Sequence, residues 1–324
     1  MKLILTVEIN NLMSNVALLN QYGEIQLNFF VNHDFKNGLI ENLYEKINTN
    51  LKKVGYELND LYEKMGIAAA GYIDHNEGIV RYAGLLNFNN FNLKQKAQEL
   101  FKKEVLVLND ANASALGEFW IGSAKHSDSL IFYKINCGIG GAIILEGKLV
   151  SGSRGFAGEF GHGGGIYDGK ETNYICFCGA KGCIEAISGT KNIQDKFSHY
   201  INQNPNSKLA IFFNDKELVT LEDINLAYEL KIDNEEIEKI FCHLLNPLIK
   251  HMATMINALD PESIIISGEI IVVKQIVFRI IKKEIYTYII DKVADEINIK
   301  EATLGKDAPL IGAGYYVIND WKFS

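Results

Sequence analysis

The sequence has no apolar run long enough to cross a membrane and no excess of basic residues. Its longest apolar runs reach about 8 residues, whereas a membrane-spanning helix needs about 20. Lysine and arginine together number 32 against 40 aspartates and glutamates, which gives a net charge of −8. A phosphate backbone demands clustered basic residues, so direct nucleic-acid binding is not expected. The N-terminal segment turns polar at Glu8, before a signal-peptide core of useful length.

Cysteines are also few, and their spacing does not indicate a disulfide framework. The chain has 5 cysteines, most of them in one short knot, and this usage fits a reducing compartment. We therefore predict a cytoplasmic protein. With 324 residues, of which 48% are hydrophobic and 22% charged, the chain is long enough for two domains with cores of their own.

Hydrophobic periodicity in the first third of the chain predicts alternating strands and helices. Three strands in a meander come first, with a turn at Asn10-Asn11, and a helix is predicted over 38–56. A short apolar strand at 66–70 follows. An amphipathic helix at 93–103 then leads into the strand VLVLND and a further helix.

The remainder of the chain repeats this pattern with longer helices. SLIFYKIN reads as the first strand of a second β-layer, and GGAIILEGKLV closes its hairpin through a turn at Glu146-Gly147. The region from 190 to 260 is helical, and ESIIISGE is a buried strand. A final helix begins near Ala308. We predict two α/β domains, each a mixed sheet with flanking helices, and a cleft between them. The first covers residues 1–120, with the helix after about 308 returning to it, and the second covers 121–307.

The densest group of metal-binding residue types lies between residues 155 and 185. Cys176, Cys178 and Cys183 sit in a CxCGxxGC knot, and His162 lies upstream of it. Three thiolates and one imidazole fit a tetrahedral Zn²⁺ whose coordination sphere is closed, so the metal would be structural. The alternative is a set of free, buried thiols, because unligated cysteine packs as a small hydrophobe.

Asn109 and Asp110 lie at the C-terminal end of the strand VLVLND and just before a helix. Ligands of open α/β sheets bind at the carboxyl ends of the strands, so Asp110 is placed to act as a general base toward a substrate hydroxyl. The alternative is a helix N-cap, a role that Asp and Asn often take at such a junction.

Two short glycine sequences are candidates for nucleotide binding. Gly138 and Gly140 belong to GIGG, where backbone N–H groups can approach a phosphate, and a tight hairpin turn is the alternative. Ser267, Gly268 and Glu269 follow the strand ESIIIS and give a comparable signal for a nucleotide base or ribose. There a helix-start cap is the alternative.

Together these segments resemble the ROK family (repressors, open reading frames, kinases), over nearly the whole chain. The resemblance is carried by LNDANASALGE at 108–118, GIGGAIILEGKLVSGSRGFAGEFGH at 138–162 and CFCGAKGCIEAISG at 176–189. It implies two actin-like (ribonuclease-H-like) α/β domains and a zinc knuckle. The side chains that it implies for hydrogen bonding to sugar hydroxyls are Asn109, Asp110, Glu159, His162 and Glu185.

The resemblance also implies roles for these residues. Asp110 would take the proton from the hydroxyl that attacks the γ-phosphate of Mg-ATP. His162 would place one ring nitrogen on zinc and the other toward the sugar, so that the metal supports the sugar-binding side chains. A homodimer or higher homo-oligomer is expected on the same ground.

Three departures from the family pattern concern ATP. Kinases of the family carry DxGGT after the first strand, and here the segment 8–12 reads EINNL, which lacks both glycines and the hydroxyl. Cys137 stands where a threonine is usual, and Ser267-Gly268-Glu269 replaces three glycines. Loss of one hydrogen bond to a charged phosphate costs about 1.5–3 kcal/mol. The positions of this eroded ATP cradle are Glu8, Asn10, Asn11, Cys137, Gly138, Gly140 and Gly268.

The loop at Ala83–Phe88 is closer to the LNW form of the family's repressors than to the kinase form with Asn before Leu-Pro. The repressor branch carries an N-terminal helix-turn-helix, whereas Met1 here lies essentially at the start of the first core strand. We therefore expect no DNA-binding domain. Two hypotheses follow. One is an ATP-dependent kinase for a hexose or an N-acylhexosamine, and the other is a sugar sensor or regulator core without catalysis.

Overall fold

The computed structural model describes residues 2–36, 38–163, 174–214, 216–290 and 297–319. Two sequence predictions lie partly outside these residues. The segment 155–185 with its candidate metal ligands includes 164–173, and the loop Ala83–Phe88 includes Leu85, whose side chain lies outside the described part. No helix in the described ranges is both long enough and apolar enough to cross a membrane.

The chain forms two compact units. Unit 1 comprises residues 1–130, 142–158 and 302–324, and unit 2 comprises 131–141 and 159–301. The predicted domains, residues 1–120 with the helix after about 308 and residues 121–307, stay a prediction.

Unit 1 contains a five-stranded mixed sheet and a small antiparallel sheet. The large sheet has the order β3-β2-β1-β4-β8, where β1 is Ile4–Ile9, β2 Met13–Leu19, β3 Ile25–Asn32, β4 Lys64–Ala69 and β8 Glu104–Asn109. The predicted meander is confirmed: β1 pairs antiparallel with β2, and β2 pairs with β3. β1, β4 and β8 run parallel, so their carboxyl ends share one edge of the sheet.

The small sheet, in the order β5-β6-β7, was not predicted from the sequence. Its strands are β5 (Tyr72–Asp74), β6 (Ile79–Ala83) and β7 (Phe88–Asn92). Strands of three to five residues with interspersed asparagine and arginine give too few alternating apolar positions to be recognised. Cross-strand contacts such as the Arg81–Asp74 ion pair, 2.7 Å between Nη2 and Oδ2, stabilise the sheet.

The helices of unit 1 lie where their periodicity places them. They are α1 (Leu39–Lys53), α2 (Leu93–Phe101), α3 (Asp110–Trp120) and a C-terminal helix (Ala308–Asn319). The backbones of α3 and the C-terminal helix touch. A Cβ on Gly312 would collide with the carbonyl oxygen of Ala113, and one on Gly117 would come within 2.5 Å of that of Ala308. This contact holds in place the helix on which Asp110 is the first residue.

The second five-stranded sheet has the order β11-β10-β9-β12-β13. Its strands are β9 (Leu130–Ile135), β10 (Ile139–Leu145), β11 (Lys148–Leu149), β12 (Ser263–Ser267) and β13 (Asn298–Glu301). The predicted hairpin turn at Glu146-Gly147 is confirmed, because β10 and β11 pair antiparallel on either side of it. β13 was not predicted, because its four residues, NIKE, include two charges and show no apolar run.

Unit 2 is rich in helices, as the sequence between 190 and 260 predicts. They are α4 (Glu185–Ser188), α5 (Thr190–Gln203), α6 (Lys208–Phe213), α7 (Leu221–Glu229), α8 (Asn234–Leu259) and α9 (Lys274–Glu284). α8 spans 26 residues, and ten of them, spaced along one face, are buried. Burial of such a stripe accounts for a helix of this length despite Pro247 in its interior.

Candidate functional site

His162, Cys176, Cys178 and Cys183 lie together in unit 2, and we refer to them as the Cys/His cluster. Their ligand atoms all lie within 4.8 Å of one another. The Sγ atoms of Cys178 and Cys183 are 3.6 Å apart, and Cys176 Sγ is 3.7 Å from His162 Nδ1. Donors about 2.0–2.3 Å from a tetrahedral Zn²⁺ lie roughly 3.5–3.8 Å from one another, so this donor set fits the predicted ion.

Backbone turns bring the three sulfur atoms together. Gly179 and Gly182 adopt φ values of 86° and 74°, in the left-handed region that favours glycine. The turn is closed by hydrogen bonds from Gly179 N to Cys176 O and from Cys176 N to Ala180 O, each 2.9 Å long. The sequence CxCGxxGC therefore folds locally into a cysteine-presenting loop.

The electrostatics of the cluster favour a bound cation. Burial raises the pKa of the Cys176 thiol well above its ordinary value, and the Glu185 carboxylate, 2.9 Å away, raises this pKa further. Burial likewise raises the pKa of Cys183, whereas a backbone hydrogen bond from Ala180 lowers the pKa of Cys178. Thiolates at these positions need a neighbouring positive charge, which a divalent metal supplies.

Glu159 and Glu185 flank the imidazole ring of His162, and we call these three residues the Glu/His group. His162 Nε2 is 3.9 Å from Glu159 Oε2, and Nδ1 is 3.8 Å from Glu185 Oε1. Their side chains are 34%, 24% and 15% exposed, in the order Glu159, His162, Glu185, so a ligand can reach each of them. The ring thus has Nδ1 toward the cysteines and Nε2 toward Glu159, the orientation that a shared structural and ligand-binding role requires.

Glu185 is positioned by glycines whose importance here was missed in the sequence. Its backbone N–H donates to Gly161 O over 3.1 Å, and its Oε2 accepts a long hydrogen bond of 3.4 Å from Ile139 N. A Cβ on Gly138 or Gly161 would lie 3.1 Å or 2.9 Å from this same Oε2. Gly138, the first glycine of GIGG, therefore leaves room for the Glu185 carboxylate and also takes part in the turn.

Asn109 and Asp110 lie in unit 1, at the carboxyl end of β8. Asn109 Oδ1 caps α3 by accepting from Ala111 N and Asn112 N, at 2.8 and 3.2 Å, which is the alternative that the sequence left open. Its amide donates one N–H to Gly71 O over 3.1 Å, and an amide carries two such donors. Asn109 is therefore the N-cap residue of α3, and Asp110 is the first residue of the helix and does not serve as its cap.

Asn136 joins the two turns that the sequence offers for nucleotide binding, and we call residues 137–138 and 267–269 the paired turns. Its Oδ1 accepts from Glu269 N over 2.8 Å, and its backbone N–H donates to Gly138 O over 2.9 Å. Its own carbonyl accepts from Thr190 N, at the start of α5, over 2.9 Å. Asn136 was not singled out in the sequence, since an isolated asparagine at a strand end has many roles.

The side chain of Glu269 lies at the N-terminus of α5. Its Oε2 accepts a hydrogen bond of 2.7 Å from Thr190 Oγ1. A helix N-terminus attracts anions, so this carboxylate is held where an external phosphate would otherwise be favoured. Burial raises the pKa of the neighbouring Cys137 thiol, and the negative charge of Glu269 raises it further.

The segment after β1 forms a plain hairpin turn in unit 1. Asn10 N donates to Met13 O over 3.1 Å, which closes the turn, and Leu12 is 71% exposed. Glu8 is buried within β1, opposite Asn15 of β2 and beside Ala68 of β4. Side chains thus occupy this turn at each position where the family pattern carries glycine.

Comparison with known proteins identifies the family. The model of the ROK family matches residues 6–320. The chain belongs to the ROK family. It is 28% identical to a glucokinase of Halalkalibacterium halodurans over 96% of this chain and 93% of that protein. It is 27% identical to the xylose repressor of Bacillus subtilis over 79% of this chain and 61% of the repressor.

A ROK glucokinase from Streptomyces griseus, solved with glucose and AMPPNP, has a similar structure. The TM-score is 0.77 at 24% identity, and the match covers 97% of this chain and 98% of that one. The predicted family and the predicted actin-like α/β fold are therefore confirmed. The family includes both sugar kinases and regulators, so membership alone does not decide between the two hypotheses.

Proposed function

We propose that this ROK protein binds a hexose or an N-acylhexosamine through Glu159, His162 and Glu185. The observation that carries the proposal is the Glu/His group itself, in which two partly exposed carboxylates lie within 4 Å of one imidazole. Carboxylates accept hydrogen bonds from sugar hydroxyls, and each bond to a charged group contributes about 1.5–3 kcal/mol. The Halalkalibacterium relative, named a glucokinase, supports a hexose as ligand.

We further propose that the bound sugar is phosphorylated with Mg-ATP. Asp110 accepts the proton of the attacking hydroxyl, and Asn109, whose amide has a second N–H donor, hydrogen-bonds the sugar. A general base contributes typically about 10²–10⁴-fold to the rate. The magnesium ion would neutralise charge on the transferred phosphoryl group.

Zinc, in this proposal, performs no chemistry. The Cys/His cluster supplies four protein ligands, so no coordination position is left for a substrate. Its function is to hold His162, and through Cys176 the neighbouring Glu185, in one arrangement. Supporting contacts of this kind typically change metal affinity or activity about 10–100-fold when they are removed.

A second candidate, a sugar sensor without phosphoryl transfer, is favoured by the paired turns. Glu269 holds a carboxylate at the N-terminus of α5, where it repels phosphate, and Leu12 replaces a hydroxyl donor in the β1–β2 turn. The similarity to a xylose repressor agrees with this candidate. Both candidates require sugar binding and differ only in catalysis.

Sugar binding is tested by calorimetric titration of the purified protein with glucose, N-acetylglucosamine and N-acetylmannosamine. We expect saturable heat with at least one sugar and a weaker response in Glu159→Gln. No heat with any of the three would contradict both candidates.

Catalysis is tested by a coupled assay of ADP release with Mg-ATP and the sugar that binds. A kinase turns over faster than its Asp110→Asn variant, which removes the base and retains the shape of the side chain. Equal rates in the two proteins, with sugar binding intact, would reject the kinase and leave the sensor.

A further inference from the structure

Phe160 is the central residue of GEFGH, and its ring points into unit 2 while its neighbours Glu159 and His162 remain partly exposed. The ring is 6% exposed. It lies directly on Gly141, where any Cβ would collide with it. Its centroid is 4.9 Å from that of Tyr133 on β9 and 5.0 Å from that of His251 on α8. Three elements of unit 2 therefore fix the position of this one ring.

Tyr133 and His251 are joined by a hydrogen bond of 2.9 Å between the phenol oxygen and Nδ1. Tyr133 is fully buried, and the two rings meet edge to face. Burial raises the pKa of Tyr133 and lowers that of His251, so both groups are neutral near pH 7. A neutral, hydrogen-bonded pair can remain inside the unit at little electrostatic cost.

We infer that the Tyr133–His251 pair is a positioning device for the Glu/His group, acting through Phe160. The inference rests on the proposed sugar-binding function and adds to it two residues that contact no proposed ligand. Apolar side chains alone would fill the same space, but they tolerate several packings. A hydrogen bond between two rings allows only a narrow range of orientations, and the rings in turn limit where Phe160 can lie.

Phe160 transmits this constraint through the backbone in two directions. Glu159 precedes it directly, and Gly161 follows it with its N–H bonded to Ile139 O over 3.0 Å and its carbonyl bonded by Glu185 N over 3.1 Å. His162 comes next. A shift of the Phe160 ring would therefore move Glu159 and His162 through the chain itself and Glu185 through its hydrogen bond to Gly161.

The test uses variants that retain ring volume. Tyr133→Phe removes the hydroxyl, and His251→Phe removes the other partner of the hydrogen bond. We expect each to weaken the binding of the sugar identified by titration by about 3- to 10-fold, as loss of one hydrogen bond would. The double variant should be no weaker than the single variants, because both remove the same bond.

Tyr228→Phe is the matched control. The Tyr228 phenol also bonds a residue of α8, donating to Glu238 Oε1 over 2.7 Å, but it contacts neither Phe160 nor the Glu/His group. We expect Tyr228→Phe to bind sugar as wild type does, with zinc content and melting temperature comparable to those of Tyr133→Phe. Wild-type affinity in Tyr133→Phe and His251→Phe, or equal weakening in Tyr228→Phe, would overturn the inference.

A readout without sugar separates this inference from the proposed function. In ¹⁵N-labelled protein the imidazole signals of His162 can be assigned with a His162→Asn variant. We expect Tyr133→Phe to shift these signals and Tyr228→Phe to leave them unchanged. If wild type binds no sugar, the proposed function fails and the His162 signals alone decide the inference. Unchanged signals in Tyr133→Phe would then overturn it.

Discussion

The Glu/His group and the paired turns lie in the same unit and meet at Gly138, yet they are organised differently. Around the Glu/His group, glycines at 138 and 161 make room for the Glu185 carboxylate, and the cysteines of the Cys/His cluster lie beside the imidazole of His162. At the paired turns, a side chain of the protein itself fills the anion-attracting position, because Glu269 accepts from Thr190 at the start of α5. One region is open to an external ligand, and the other is occupied by an internal carboxylate.

Gly138 contributes to both regions: it belongs to the paired turns, and it lies beside the Glu185 carboxylate of the Glu/His group. Gly138 follows a strand and precedes another, so the sequence alone offers a phosphate loop or a tight turn. In the structure its missing side chain leaves space for Glu185 Oε2, 3.1 Å from where a Cβ would lie. The position of the Glu185 carboxylate and the turn after β9 therefore both depend on the absence of a side chain at residue 138. The comparison predicts that changes on the Glu/His side affect sugar, and that changes on the other side affect nucleotide.

The largest effect is expected from loss of the metal. Cys183→Ser would remove one ligand of the proposed zinc, and exhaustive chelation of the wild type would remove the ion; in both cases we expect sugar affinity to fall by about 100-fold. Metal analysis should show about one zinc per chain in wild type and none in the variant. Cys242→Ser, on α8 outside the cluster, is the control and should retain both zinc and sugar. Full sugar affinity in the absence of zinc would contradict the proposal that the metal positions the sugar-binding side chains.

Next in size is the loss of one carboxylate charge. Glu185→Gln retains the shape of the side chain but weakens its hydrogen bonds to sugar hydroxyls, and we expect a loss of roughly 10- to 100-fold in sugar affinity. ATP-induced stabilisation should not change. Glu222→Gln, an exposed glutamate on α7, serves as the matched control. An effect of Glu185→Gln on ATP alone would reverse the assignment of the two regions.

A gain of function is expected at the paired turns. Glu269→Gln retains an acceptor for the Thr190 hydroxyl and removes the negative charge, and Glu269→Gly also clears the N-terminus of α5. We expect ATP affinity to rise by about 3-fold in the first variant and about 10-fold in the second, since a like charge no longer faces the phosphates. Sugar affinity should stay within about 2-fold of wild type, which is the scatter within which the effects of independent sites add. If neither variant binds ATP more tightly than wild type, Glu269 is not the residue that limits ATP affinity.

The smallest effect is expected in the β1–β2 turn. Changing Asn10 and Asn11 to glycine and Leu12 to threonine restores two glycines and a hydroxyl without disturbing the core, because Leu12 is 71% exposed. The unfolding free energy should fall by no more than about 1–2 kcal/mol, the entropic cost of two glycines. ATP-induced stabilisation should increase slightly and add to that of Glu269→Gly. A decrease would contradict the assignment of this turn to the nucleotide.

Long elements of the fold are predictable from the sequence, and so is the grouping of one histidine and three cysteines that could hold a metal ion. α8 carries its apolar stripe over 26 residues, and β4 and β8 contain the short apolar runs MGIAA and VLVL, which are typical of buried parallel strands. The cysteine spacing of the knot specifies a local turn. Its closure with His162 follows from the family resemblance and from the residue types, and the structure brings all four donors together.

What the sequence does not predict depends on contacts between distant segments. Asn136 links β9, α5 and the segment after β12, and no local pattern distinguishes it from any other asparagine. Tyr133 and His251 are separated by 118 positions, and each alone reads as an ordinary core or surface residue. The small sheet β5-β6-β7 was missed because its strands are short. The oligomeric state expected from the family stays a prediction.

The most direct test of the contrast between the two regions is a thermal melt of one preparation with sugar and with Mg-ATP in separate samples. A ligand that binds only the folded protein raises its melting temperature according to its affinity. We expect at least one of glucose, N-acetylglucosamine and N-acetylmannosamine, at about 100 times its Kd, to stabilise the fold by about 2.7 kcal/mol. Mg-ATP at the same concentration should stabilise it distinctly less. Stabilisation by Mg-ATP with none by any of the sugars would contradict the account.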